Sequence, residues 1–72
     1  MSVAKRQMKR GTELMIFFDL FTREREEGRA RLVTFLRADD CTFHGRTCHS
    51  EDWTVEFLNE PGVRCERTIA WV

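Results

Sequence analysis

Seventy-two residues can bury only one small hydrophobic core, so we expect a single domain. A core of that size supplies about 3–5 kcal/mol at most, and short domains therefore add disulfides, a metal ion or partner subunits. Three cysteines cannot all pair within one chain, and no signal peptide precedes them, so a secreted disulfide scaffold is not expected. We expect self-association as the additional stabiliser, and a cytoplasmic location.

The charge of the chain is balanced overall but uneven along its length. Basic and acidic side chains each number 12, yet residues 1–10 hold no acid and four basic residues, namely Lys5, Arg6, Lys9 and Arg10. Arginine outnumbers lysine ten to two, and its planar guanidinium suits phosphates and base edges. We interpret residues 1–11 as a basic flexible tail, compatible with nucleic-acid binding but also typical of a solvated terminus.

The segment after this tail is predicted to be a helix over residues 12–27. Thr12 is a good N-cap, and Glu13 follows in the first turn, where the helix dipole favours an acid. Gly28 is a natural C-terminal stop. The helical stripe consists of apolar residues spaced by three and four, namely Leu14, Phe17, Phe18 and Phe21. A buried strand is the competing interpretation of residues 14–21, and the apolar run is too short to span a bilayer.

Beyond Gly28 the pattern becomes typical of β-strands. Strands are predicted at residues 31–37, 41–49 and 53–58, with a turn at residues 38–40, and residues 63–72 form one bent strand or two short ones. Gly45 lies inside the second strand, where an interior glycine indicates a bulge or sharp bend. The predicted fold class is mainly β with an N-terminal α-helix: one domain over residues 12–72, with the helix at 12–27 and a small, strongly curved antiparallel sheet over residues 31–72.

Metal binding and catalysis find little support in the residue pattern. Four residues are zinc ligands by type, namely Cys41, His44, Cys48 and His49, but they lie on one predicted strand and form no Cys-x-x-Cys knuckle. We therefore predict no metal site and no cofactor. A domain stabilised by a structural zinc ion on Cys41, His44 and Cys48 is kept as an alternative. Neither serine lies in a nucleophile motif and no glycine-rich phosphate loop is present, so we predict that the protein is not an enzyme.

An aromatic ring near an arginine makes a better case for a binding function. Trp53 begins a predicted strand, and Arg67 lies near the closing strand. An aromatic face and a guanidinium together can bind an unpaired base, because stacking contributes about 1–3 kcal/mol per base. The alternative is that Trp53 belongs to the core, since it shares a strand face with Val55 and Phe57.

The order of these segments resembles the Sm-like family, and most closely its bacterial RNA-chaperone branch, Hfq. The resemblance runs from about Leu14 to Val72. It is carried by the run FFDLFTRE at residues 17–24, by the strand at 32–36, by Phe43-His44-Gly45, by Glu51-Asp52-Trp53, and by Ile69 and Val72. It implies a five-stranded, strongly bent antiparallel barrel of the Sm-like (SH3-like) type, assembled as a homo-oligomeric ring of six or seven subunits.

The same resemblance implies a non-catalytic function in binding single-stranded RNA, U-rich or A-rich, as an RNA chaperone or post-transcriptional regulator. The implied RNA-binding residues are Trp53, Arg67 and Glu51 on the pore face, Arg23 and Arg25 on the rim, and Thr34, Phe35 and His44 on the opposite face. One departure is that Glu66 replaces a lysine of the family's closing-strand motif. An acid repeated around a pore repels phosphate, so a ring or small barrel that binds protein instead of RNA is the alternative function.

Overall fold

The computed structural model of the chain describes residues 5–20 and 22–71. Four strands make up its regular structure: β1 (Glu13–Phe17), β2 (Glu26–Phe43), β3 (Arg46–Phe57) and β4 (Arg64–Trp71). They form one antiparallel sheet in the order β1-β2-β3-β4. No helix is found among the described residues, and hence none that is long and apolar enough to cross a bilayer.

The core lies on one face of this sheet and is organised around β3. Side chains alternate between the two faces of a strand, and the buried face of β3 carries His49, Glu51, Trp53, Val55 and Phe57. Ile16, Ala30 and Leu32 complete the buried apolar cluster. The predicted alternation of Trp53, Val55 and Phe57 on one face is therefore confirmed, and Trp53 is a core residue.

The predicted helix over residues 12–27 is wrong, because its first part forms β1. Residues 13–17 pair with β2 in antiparallel register, from Glu13 opposite Arg31 to Phe17 opposite Glu26. This pairing provides partners for the backbone N–H and C=O groups along one edge of β2, and it leaves Ile16 only 3% exposed. A helix packed on the sheet could bury Ile16, but it could not form those backbone hydrogen bonds. Gly28, the predicted helix stop, lies within β2. Phe21, the last residue of the helical stripe, lies outside the described residues.

The predicted five-stranded closed barrel is also wrong, since the four strands form a single open sheet. The expected turn at residues 38–40 does not exist, because β2 continues through it to Phe43. The chain turns instead at His44 and Gly45, between the paired residues Phe43 and Arg46. Their φ values of 50° and 76° are both positive, as a two-residue hairpin loop of type I′ requires. Gly45 therefore lies in the turn of a hairpin between two strands, whereas the sequence predicts a bulge or sharp bend inside a single strand.

Three irregularities curl the sheet. The β2–β3 register shifts between Leu32 and Thr34 and again between Phe35 and Arg37, and the β1–β2 register shifts next to Glu27. Each such bulge bends the strand and increases its twist. The two edge strands, β1 and β4, consequently face each other across a groove.

Candidate functional site

The groove between the two edge strands is the main concave site of the described residues. Its volume is about 440 Å³, within the usual range for binding pockets. Its walls are Leu14, Met15, Ile16 and Phe17 from β1, Thr68, Ile69, Ala70 and Trp71 from β4, and Met8, Leu20 and Arg23 from the segments before and after β1. Arg23 is the only charged residue among these lining residues, so the groove is apolar with one cation.

Backbone groups on the β1 side of the groove point away from the sheet. Leu32 N–H donates to the Thr12 carbonyl oxygen at 2.9 Å, so the backbone of Leu32 faces the β1 side of β2. The backbone N–H and C=O groups of successive residues point to opposite sides of a strand. Leu14 and Ile16, which lie opposite Ala30 and Gly28, therefore direct these groups at β2. Met15 then directs its own N–H and C=O into the groove. On the other wall, β4 pairs only with β3, so its outer edge is open as well.

Arg23 is positioned at the groove by hydrogen bonds within the loop of residues 18–25, of which all but residue 21 are described. Phe18 N–H donates to the Arg25 carbonyl at 2.9 Å, and Arg23 N–H donates to the Asp19 carbonyl at 3.0 Å. The Arg25 guanidinium forms two hydrogen bonds with the Asp19 carboxylate, at 2.8 and 3.1 Å, and these hold the pKa of Asp19 below its usual value. Asp19 therefore neutralises Arg25, whereas Arg23 forms no ion pair within residues 5–20 and 22–71.

A second cluster centres on the buried His49, whose ring packs edge-to-face against the groove residue Trp71, with centroids 4.8 Å apart. Its Nδ1 lies 2.7 Å from Asp40 Oδ1, and its Nε2 lies 2.7 Å from Glu51 Oε2. Both ring nitrogens thus face carboxylate oxygens, which favours the doubly protonated imidazolium. The hydrogen bond with Asp40, followed by that with Glu51, raises the pKa of His49 above its ordinary value against the opposing effect of burial.

Glu51 links this cluster to the N-terminal segment. Burial alone would raise its pKa, but hydrogen bonds from Gln7 N–H at 2.6 Å, Trp53 Nε1–H at 2.8 Å and His49 together lower it. Met8 N–H also donates to Glu51, at 3.3 Å. Because Met8 lines the groove, the buried carboxylate positions part of the groove wall.

The predicted pore-face residues do not form an open site. Trp53 is 0% exposed and donates its indole N–H to Glu51, so it offers no face on which a base could stack. Glu51 is itself buried. Arg67 is bonded to Glu27, and its guanidinium lies over the Phe57 ring at 5.5 Å.

The other predicted RNA-binding residues do not form one surface. Arg25 and Arg23 share the loop of residues 18–25, but only Arg23 lines the groove. Thr34 is exposed on β2, and Phe35 packs edge-to-face against Trp53 with ring centroids 5.5 Å apart. His44 is at the tip of the β2–β3 hairpin, nine residues further along, roughly 30 Å at the rise of a β-strand.

The zinc alternative finds no cluster in the described part of the chain. Within it, no group of three or more His, Cys, Asp or Glu side chains could hold a metal ion. Cys48 is buried with its Sγ 3.6 Å from the Arg46 carbonyl oxygen, and His44 is exposed in the turn. The side chain of Cys41 lies outside the described residues.

Sequence reasoning missed two groups of residues. The groove residues Met15 and Trp71 carry no motif, but the unbroken apolar run from Leu14 to Phe18 was a usable signal, since a strand apolar on both faces indicates two packing surfaces. The His49 cluster had a weaker signal. His49 and Glu51 are two residues apart, so in a strand they share a face with Trp53.

Comparisons of the chain with protein-family models, with curated proteins and with solved structures found no match. The Sm-like resemblance, the ring and RNA binding therefore stay predictions. The candidate function rests on geometry, and the apolar groove between two open strand edges is the feature that carries it.

Proposed function

We propose that this chain is a protein-binding module that takes up an extended segment of another protein between β1 and β4. One observation carries the proposal: the two open edges of the curled sheet face each other across an apolar groove. An extended segment placed there would add a fifth strand, with main-chain hydrogen bonds to an edge and alternate side chains in the groove.

The energetics require that the segment be apolar on one face. Ordering each backbone residue costs about 1–2 kcal/mol, and a hydrogen bond returns about 0.5–1.5 kcal/mol net. Backbone pairing alone therefore leaves a short segment unbound. Apolar side chains buried in the groove contribute about 25 cal/mol per Å² and must supply the remainder. The partner segment is thus expected to alternate apolar and polar residues.

The outer face of the sheet is a poorer candidate because several of its charged side chains already pair with one another. Arg31 binds Glu13 at 3.0 Å, and Asp52 accepts hydrogen bonds from both Arg37 and Thr68. A ligand that breaks these exposed ion pairs would gain about as little free energy from its own charges as it loses by breaking them, so this face offers little binding energy.

A backbone-directed variant tests the proposal. Met15→Pro removes the N–H that points into the groove but leaves the β1–β2 ladder intact, since an edge strand tolerates proline on its open side. Met15→Ala is the matched control, because it shortens the same side chain and keeps the N–H. The probe is a displayed library of random peptides of about ten residues, near the upper length of a strand.

The wild type and Met15→Ala are expected to enrich peptides with alternating apolar residues, and Met15→Pro is expected to lose them. Binding of an enriched, end-capped peptide is read from the fluorescence of Trp71, which lines the groove. Equal binding by the proline variant, or enrichment without any alternation, would show that the groove does not add a strand.

RNA binding is a second candidate, favoured by the N-terminal segment. Lys5, Arg6, Lys9 and Arg10 are exposed and form no ion pair within the described residues. A single-stranded polyanion bound there would release counterions, and its affinity would fall with salt by a log–log slope of about −0.7 per phosphate contacted. Oligouridine binding without that salt dependence would argue against this candidate.

A further inference from the structure

We propose that Arg23 selects partners by binding an acidic side chain of the segment in the groove. The inference rests on the proposed function and names the partner's chemistry. The recognised segment alternates apolar residues and carries an Asp or Glu where it passes the loop of residues 18–25.

Charge complementarity supports this assignment. Arg23 is exposed, lines the groove and forms no ion pair with a described residue, while all the other lining side chains are uncharged. Its neighbour Arg25 is bound by Asp19, so the loop's own acid is already engaged. A carboxylate on the bound segment would neutralise the Arg23 guanidinium, which can form a bidentate pair of hydrogen bonds with it.

The backbone of the loop supports it as well. Arg23 has φ 57°, in the left-handed region that residues other than glycine rarely adopt. The hydrogen bond from its N–H to Asp19 holds that conformation. Strained residues concentrate where a binding site needs a side chain in a particular direction, and here the strained residue is the groove's one cation.

The carboxylate is assigned to a side chain because the groove is open at this point. Arg23 is exposed, so it lies at the rim, where a segment can pass and continue. Apolar surroundings strengthen the interaction, because the effective dielectric constant beside the groove is lower than in bulk water.

The test repeats the peptide selection with Arg23→Gln and with Arg46→Gln as the control, since Arg46 is exposed next to the hairpin turn and does not line the groove. The wild type and the control are expected to enrich an acid at one fixed position of the alternating peptides. Arg23→Gln is expected to keep the alternation and lose the acid. Alternating peptides without an acid in the wild-type selection would overturn this inference alone, whereas no alternating peptides at all would overturn the proposed function.

The affinities of one enriched peptide for the wild type and for Arg23→Gln then measure the strength of the pair between Arg23 and the peptide's acid. Replacing its acid by the matching amide, with both ends capped, should weaken binding to the wild type about tenfold, as expected for one charge-assisted hydrogen-bonded pair. The same replacement should leave binding to Arg23→Gln unchanged, and Arg23→Glu should prefer a lysine at that position. A loss of equal size in wild type and Arg23→Gln, or binding that depends on a free C-terminal carboxylate, would contradict the side-chain assignment.

Discussion

Arg67 donates two hydrogen bonds to Glu27, from Nε to Oε1 at 2.8 Å and from Nη2 to Oε2 at 2.6 Å. The two residues belong to β4 and β2, which are not neighbours in the sheet. Glu27 is the extra residue of the bulge opposite Ile16 and Phe17, so the irregularity that bends β2 also supplies the carboxylate. The ion pair therefore links two strands across the core face and helps to hold the curl of the sheet.

Replacing Glu27 by glutamine should destabilise the fold by about 1 kcal/mol. Hydrogen bonds to charged groups contribute more than this when buried, but the Arg67 side chain is 36% exposed and solvent screens the pair. Urea unfolding of the variant measures the loss. Glu60→Gln, at an exposed turn position, is the control and should stay within about 0.5 kcal/mol of wild type. Equal stability of the two variants would mean that the Glu27–Arg67 pair does not hold the curl.

Stability should fall as the pH rises through the raised pKa of His49, because its two carboxylate partners favour the imidazolium in the folded state. Its folded-state pKa is raised, first by Asp40 and then by Glu51, above the ordinary value of 6.5. The contribution is fully present below pH 6.5 and is lost as the pH rises through the raised value. Thermal unfolding between about pH 6 and 9 measures this, and His49→Gln should flatten the profile. A wild-type profile that rises over this range would contradict a protonated His49.

Trp53→Ala should unfold the domain rather than remove a binding contact. Truncating a fully buried tryptophan costs about 3–5 kcal/mol, comparable with the whole stability expected of so small a core. The change also removes an indole donor from the buried Glu51 carboxylate. Circular dichroism distinguishes the outcomes, with Trp71→Ala as the half-buried control. A folded Trp53→Ala that has lost only oligouridine binding would instead support the stacking role.

Gly45→Ala should cost about 1–2 kcal/mol, which is the penalty of a left-handed residue in the hairpin turn. A Cβ at this position would meet no atom within 4 Å, so the cost is purely that of the φ of 76°. Gly45→Asn is the matched variant, because asparagine tolerates this conformation, and it should lose less. Urea midpoints compare the two. A larger loss for the asparagine variant would mean that the side chain at this turn is crowded.

The strand pattern of residues 53–57 could be predicted because alternation depends only on which face is buried. The region around Leu14 could not, since its apolar residues satisfy a helical stripe and a two-sided strand equally well. Pairing with β2 decided between them, and that contact depends on residues about fifteen positions away. The hairpin at His44 was missed because a glycine inside an apparent strand indicates a bulge or sharp bend. The sequence does not show that His44 also has a positive φ, which makes the two residues a hairpin turn.

The candidate site was predictable only in part. Alternation with Val55 and Phe57 favours a core position for Trp53, whereas the family resemblance implies base stacking. Its burial depends on partners that the sequence does not place next to it. Glu51 binds Gln7, 44 residues away. Arg23 was predicted from the sequence as an RNA-binding residue, and it lines the groove; the carboxylate ligand is our proposal. Nothing in the spacing of β1 and β4 shows that the two edges face each other.

The facing edges also limit how many chains can join. A flat sheet with two open edges can gain strands indefinitely, which is the route to fibres. If a segment binds between β1 and β4 as proposed, it would lie against both edges at once, and it would occupy the positions where a second strand would begin. The curvature that bulges impose on β2 would then make strand addition self-terminating, with one segment bound per chain.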